Sequence, residues 1–280
     1  MMRFPPRLAW DLTKFRIAQK LFGPSSDPLV LRLDLSKFRA PIEDASSPGD
    51  NSSEQISSRD AQALSCVRAS TAPVVWIGGD SPLQHAGIGH LARDIINCAR
   101  TVFVEMDGTL LRRRIHEFRP VSRLYLVLPL DGLEDAHDSR AQRTGNFRAT
   151  MEALRTARLS GFHICIETTI CPVFDKGEFH ELAKFISTLG VDGWIHKRPA
   201  TAVNDQTAAE AMKSAHALIP SGSWRAFTEV LDSTPISAQP GSGKKRLADA
   251  IVQKVEKMPN RETHDAHESR DVHEQGLRAL

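Results

Sequence analysis

From Val74 onward the chain repeats one pattern, and that pattern restricts its fold more than any other feature. Short apolar runs rich in β-branched residues end in a glycine or a polar cluster, and each is followed by a stretch of helical periodicity. Residues 74–79 (VVWIGG) precede a helix over 86–99, and 101–108 (TVFVEMDG) precede one over 109–117. Residues 124–132 (LYLVLPLDG) lead to a helix over 146–159, and 162–170 (FHICIETTI) to one over 177–189. Residues 191–199 (VDGWIHKRP) supply a further strand, and 28–35 (PLVLRLDL) an earlier one. Continuous apolar runs suit strands buried on both faces, and consecutive parallel strands joined by helices require right-handed crossovers. The expected fold is therefore α/β, a partial (βα)6-type TIM-like barrel.

The flanks read differently. Residues 1–27 carry a basic amphipathic helix over 1–22, with Leu8, Leu12, Phe15 and Phe22 on one face and Arg7, Lys14 and Lys20 toward the other. Two roles stay open for it, a helix lying across the barrel mouth and a helix lying on a membrane surface. The barrel segment spans 28–200, and a Ser/Asp/Pro/Gly-rich stretch within it predicts a mobile loop over 36–62. A helical extension follows over 201–232, with helices at 205–218 and 223–231. Residues 233–280 read as a linker, an exposed helix at 244–257 and a disordered tail.

Charge excludes one class of partner. A net charge of only +2 and a single tyrosine, Tyr125, leave neither a basic field nor a stacking platform, so nucleic acid is not expected. The longest apolar runs fall short of the ~20 residues of a membrane span. Asp11, Lys14, Arg16 and Lys20 interrupt any secretory core at the start. The expected location is cytoplasmic, peripheral at the inner membrane surface if helix 1–22 meets lipid. The four cysteines, Cys66, Cys98, Cys165 and Cys171, show no C-x-x-C spacing and read as small apolar residues in a reducing compartment. No metal site is expected from them. Gly241 to Lys245 lacks the first glycine of a phosphate loop, with Ala238 in its place, and His264, His267 and His273 read as a solvated tail.

In parallel α/β architectures ligands bind at the carboxyl ends of the strands. The candidate positions there are Gly78, Gly79 and Asp80 after the second strand, Glu105 and Asp107 after the third, Asp131 after the fourth and Glu167 after the fifth. His196, Lys197 and Arg198 follow the last strand. Each glycine alone could serve only a tight turn. Together the clusters predict a shared pocket at one rim. His85 lies just past the Gly78-Gly79-Asp80 turn and could face that pocket.

Three stretches in order carry a resemblance. VVWIGGDSPLQHAGIGHLAR (74–93) is similar to the segment around the Gly-Gly-Glu motif of the radical S-adenosylmethionine (SAM) superfamily, and VFVEMDGTLL (102–111) to its T-N-G strand. Residues 124–162 resemble the V-S-L-D-G…H-D…G-x-F segment, with His137-Asp138 in place. The likeness covers roughly 28–200. It is nearest to hopanoid-pathway adenosyltransferases, which begin with a similar basic helix and a P-L-V-L strand, here 28–31. The resemblance implies a [4Fe–4S] cluster held by C-x-x-x-C-x-x-C after the first strand, SAM on the fourth iron, and a 5′-deoxyadenosyl radical.

The departures alter that expectation. No cysteine precedes Cys66, and Arg39 and Glu43 fall about where the first two cysteines should stand. Asp80 replaces the Glu of Gly-Gly-Glu, Pro129 replaces the Ser of S-L-D-G, and Met106-Asp107-Gly108 replaces T-N-G. Proline offers neither hydroxyl nor N–H. The cluster is therefore expected to be absent and SAM binding weak or lost, with Gly78, Gly79, Asp80, Glu105, Asp107, Asp131 and Glu167 as degenerate cofactor-site positions. The implied protein is a ligand- or partner-binding pseudoenzyme, its partner an active radical SAM paralogue or another protein in hopanoid or lipid metabolism. Two alternatives remain. Asp80, Glu105, Asp107 and Glu167 could run acid–base or metal-dependent hydrolase or lyase chemistry, or an unconventional cluster could use Cys66 and Cys98.

Overall fold

The computed structural model of the chain describes residues 2–23, 28–35, 53–79, 82–171, 175–198, 206–219 and 222–233. Six parallel strands pair in sequence order: β1 (Val30–Asp34), β2 (Val74–Gly78), β3 (Thr101–Glu105), β4 (Leu124–Pro129), β5 (His163–Thr169) and β6 (Gly193–Lys197). An α-helix enters each crossover: α2 (Ser53–Ala69), α3 (Ile88–Asn97), α4 (Gly108–Arg114), α5 and α6 (Glu134–Ala141 and Asn146–Leu159), then α7 (Lys176–Thr188). The expected half-barrel is what forms, because the strands are mostly apolar and buried, β2 throughout, and such strands need cover on both faces.

The two faces are covered differently. Trp194 and His196 of β6 point outward, where Phe179 of α7 lies 5.3 Å from each ring. On the inner face Trp76, Phe103, Tyr125 and His163 stand opposite one another in register across four strands. Their rings stack at 5.3, 4.8 and 5.1 Å. Trp76, Phe103 and Tyr125 are fully buried, His163 closes the row half-exposed, and a fully buried large apolar side chain contributes about 1.5–3 kcal/mol, so this ladder is a main part of the inner core. Beyond β6, α8 (Gln206–His216) covers the outer face and α9 (Gly222–Ser233) turns back onto the inner one. Phe227 of α9 stacks 5.4 Å from Phe103. Arg198 grips Asp232 through Nε at 2.9 Å and Nη2 at 2.6 Å, fixing the end of α9 beside β6.

Helix α1 (Pro6–Phe22) does not cross the mouth at the carboxyl ends. Its Asp11 meets Arg123, the residue before β4, at 2.9 Å, which places it at the amino ends of the strands. Leu8 and Phe15 are buried there as the wheel predicts, but Phe22, in the last turn of the helix, is exposed. The expected mobile loop over 36–62 also needs correction, since α2 begins at Ser53. Polar composition hid it: Ala63, Cys66 and Val67 form its buried stripe, and that stripe lies past the polar stretch. The expected helix 109–117 is α4 plus a single 3-10 turn over Ile115–Glu117. Helix α5 was not expected, since EDAHDSRA lacks an apolar face. The segments 36–52 and 234–280, including the expected helix 244–257 and the His-bearing tail, lie outside the described residues.

Candidate functional site

Above the aromatic ladder, at the carboxyl ends on the inner face, three charged side chains converge. Lys197 Nζ of β6 donates to Glu105 Oε1 of β3 at 3.2 Å and to Glu167 Oε2 of β5 at 3.3 Å. Trp76 Nε1 donates to the same Glu105 oxygen at 2.6 Å, tying the network to the ladder beneath. Gly78 makes the room for this: a Cβ there would lie 2.6 Å from Glu105 Oε1. Gly79 is left-handed, with φ +114°, and a Cβ on it would run into the Asp34 carboxylate.

The network leaves one atom over. Glu167 Oε1 is buried without a protein hydrogen-bond partner. Burial first, then the neighbouring Glu105 charge, push the Glu167 carboxyl up to about 7, and Lys197 and Arg32 only partly pull it back. Burial works against the Lys197 charge, yet Glu167 and Glu105 outweigh it and hold the ammonium above the ordinary lysine range. The mouth therefore holds an ammonium shared by two carboxyl groups, one of which is raised toward neutral pH. Such a group can donate or accept a hydrogen bond to a bound molecule, or move a proton.

Of the candidate positions read from the sequence, Gly78, Gly79, Glu105 and Glu167 come together here. Asp107 does not. It caps α4, accepting from Thr109 N and Oγ1, both at 2.7 Å. Asp131 sits across β5 in a shallow pocket with Arg140, Thr169, Cys171 and Glu178, and its carboxylate accepts from Thr169 N at 2.6 Å. Asp80 lies outside the described residues. His85 turns away to Asp60 of α2 at 2.6 Å. His137 accepts from Asp131 N at 3.1 Å, while Asp138 takes Phe147 N at 2.7 Å and Gly145 N at 2.5 Å, so this pair shapes a turn. Lys197 belongs to the polar cluster named at the end of the last strand, whereas nothing in the sequence points to Trp76 or Asp34 as site residues. Alternation held the signal: Glu105 is two residues beyond inward Phe103, and Lys197 is two beyond Ile195, which pairs with Glu167.

Residues 50–186 match the Radical SAM superfamily. The matched segment makes up just under half of the chain and is similar to that superfamily's domain. No curated protein sequence matches the chain. Among solved structures, Streptococcus suis SuiB bound to S-adenosylmethionine is similar at 11% identity and a TM-score of 0.52, covering 87% of this chain and 49% of that one. SuiB bound to its precursor peptide SuiA is similar at 13% identity and a TM-score of 0.50, covering 91% and 53%. The chain thus spans about half the length of these structures, and at such identity the likeness is one of fold.

Radical SAM domains hold their cluster through three closely spaced thiolates, and the donors here do not fit that demand. Cys66 is buried on α2, Cys98 caps α3, Cys165 is buried within β5 and Cys171 is exposed beyond it. Among the described residues no three His, Cys, Asp or Glu side chains gather closely enough to hold a metal ion. Pro129 stands opposite Glu167 in register and brings no hydroxyl to it.

Proposed function

We propose that this protein is a radical SAM relative that has given up cluster-dependent radical chemistry and keeps its barrel mouth as a ligand- or partner-binding site. The observation that carries this is the centre of the mouth itself. An ammonium shared by Glu105 and Glu167 stands there, and the four thiols are scattered elsewhere in the fold. The sequence supports the same direction, since 36–49, where the three cysteines would stand, contains none and precedes the matched segment. The occupant presents a polar group to Glu167 Oε1. The resemblance of the basic helix and of residues 28–31 to hopanoid-pathway adenosyltransferases makes an active paralogue in lipid metabolism the proposed partner. Calorimetric titration of the full chain with SAM tests the reading. Weak or undetectable heat is expected, and tight binding at about micromolar Kd would contradict the loss of the cofactor site.

A second reading has its own support. A carboxyl raised to about 7 beside an ammonium shared with Glu105 is the arrangement of a general acid–base. In that reading the protein is a cluster-independent enzyme of hydrolase or lyase type, and Glu167→Gln abolishes a turnover whose pH profile has an inflection near about 7. Activity indifferent to that substitution would remove this reading.

A further inference from the structure

Helix α1 carries two apolar stripes, and the fold uses only one of them. Leu8, Leu12 and Phe15 pack into the protein, while on the far side Trp10 is 58% exposed, Ile17 49% and Leu21 71%, with Phe22 at the helix end 78% exposed. At 3.6 residues per turn, Trp10, Ile17 and Leu21 fall within about 40° of one another and point almost opposite to the buried stripe. Of the two roles the sequence leaves open for this helix, the membrane-surface one would use the face of Leu8, Leu12, Phe15 and Phe22. The burial of Leu8 and Phe15 shows that any surface contact must use the other stripe.

The residues flanking this stripe say what it meets. Arg16 and Lys20 border it on one side, and Lys14 and Arg7 border it on the other; all four are exposed. Lys14 lies over the Trp10 ring, 5.2 Å from its centroid. The only acid of the helix, Asp11, is taken up by Arg123 at 2.9 Å. The exposed half of α1 is thus a tryptophan-bearing apolar strip between two rows of cations, with no helix acid left to oppose an anionic surface. A protein groove would need to match four dispersed cations individually, whereas an anionic bilayer offers negative charge everywhere along both rows. Indole prefers the headgroup region, and cations on either side of an apolar strip meet lipid phosphates as the strip sinks in. No helix among the described residues is long and apolar enough to cross a membrane, so the contact lies in the interface plane.

We infer that α1 docks the protein on anionic lipid bilayers through Trp10, Ile17 and Leu21, with Lys14, Arg16 and Lys20 against the headgroups. This is independent of what the barrel mouth binds. The tryptophans make a direct test, because Trp76, Trp194 and Trp224 are at most 1% exposed and Trp10 is the fourth and last. The full chain is mixed with vesicles of phosphatidylcholine alone or with added phosphatidylglycerol. With the anionic vesicles it is expected to co-float, to shift its tryptophan emission to the blue, and to lose acrylamide quenching. About 0.5 M salt weakens the binding by screening. Trp10→Glu with Leu21→Glu, and separately Lys14→Glu with Lys20→Glu, each lower partitioning by about tenfold or more, with unchanged thermal unfolding because these side chains are exposed. Failure of the wild type to co-float overturns the inference, as does a stripe variant that binds like the wild type. So does a stripe variant whose only change is loss of self-association in sedimentation, which would make the stripe an interface between copies.

Discussion

Lys197 on β6 and Glu105 on β3 lie 3.2 Å apart although two strands separate them in the sheet. Flat strands spaced about 4.8 Å would hold their backbones about 14 Å apart, so the contact records both the inward curl of the sheet and the reach of the two side chains. One ammonium thereby fixes the spacing of β3, β5 and β6 at the mouth. Lys197→Met removes it and leaves two carboxylates facing each other. The variant is expected to lose roughly 2 kcal/mol at pH 8, less than the 3–5 of a fully buried pair because Lys197 keeps some contact with water. At pH 6, where Glu167 is largely protonated, the loss is smaller. Urea unfolding at the two pH values reads both, and equal stability of variant and wild type at pH 8 would refute the shared-cation role.

Glu167 contributes a pH dependence of its own. Its carboxyl moves from an ordinary 4.5 to about 7 on folding, so between those values the folded chain keeps a proton that the unfolded chain has released. Stability from this group therefore declines as pH rises through that window. Glu167→Gln removes the decline. Subtracting variant from wild-type unfolding curves between pH 5 and pH 8 isolates it, and a flat difference contradicts the burial of an unpaired Oε1.

His196 pulls the other way. Its ring lies between Phe179, Trp194 and His216, both nitrogens lack partners, and burial first, then His216, lower it from 6.5 to about 3. Below pH 6.5 the unfolded chain takes up a proton that the folded chain refuses, so stability falls as the pH is lowered. Phenylalanine fills the same space without the nitrogens. His196→Phe is expected to raise the unfolding midpoint at pH 5 more than at pH 8, and an equal effect at both would show the ring is not held neutral.

Two glycines separate a flexible clash from a rigid one. A Cβ at Gly78 would meet the Glu105 carboxylate, which can swing, whereas a Cβ at Gly193 would lie 2.6 Å from the Trp224 indole, which cannot. Gly78→Ala is expected to cost about 1–2 kcal/mol and Gly193→Ala about 3 kcal/mol, measured by denaturant unfolding. The reverse order would mean that the Glu105 network, not α9, is the stiffer packing.

The half-barrel was legible because apolar runs alternate with stretches of helical periodicity along the chain, so periodicity alone carries the fold. The site was legible only in part. Glu105 and Glu167 stood at strand ends where any ligand-binding side chain must be, but Asp107 and Asp131 stood there too. What separates them is whether the carboxylate turns to the inner face or back onto a backbone N–H, and that depends on loop geometry. Lys197 was visible at the last strand end, yet its partners lie on β3 and β5, and contacts of that range leave no trace in spacing. Helix α1 showed a similar limit. Its wheel contained both stripes, and only the packing against Arg123 and the strand ends decided which one is left outside.

The proposed loss of cluster chemistry is read from the iron content of the purified chain. The full chain is reconstituted anaerobically with iron and sulfide, desalted, and assayed for both elements with an absorbance scan near about 400 nm, where thiolate-bound clusters absorb. Substoichiometric iron and no band are predicted, unchanged when Cys66 and Cys98 are replaced by alanine. On the order of four irons per chain, with a brown chromophore that disappears in those variants, would contradict it.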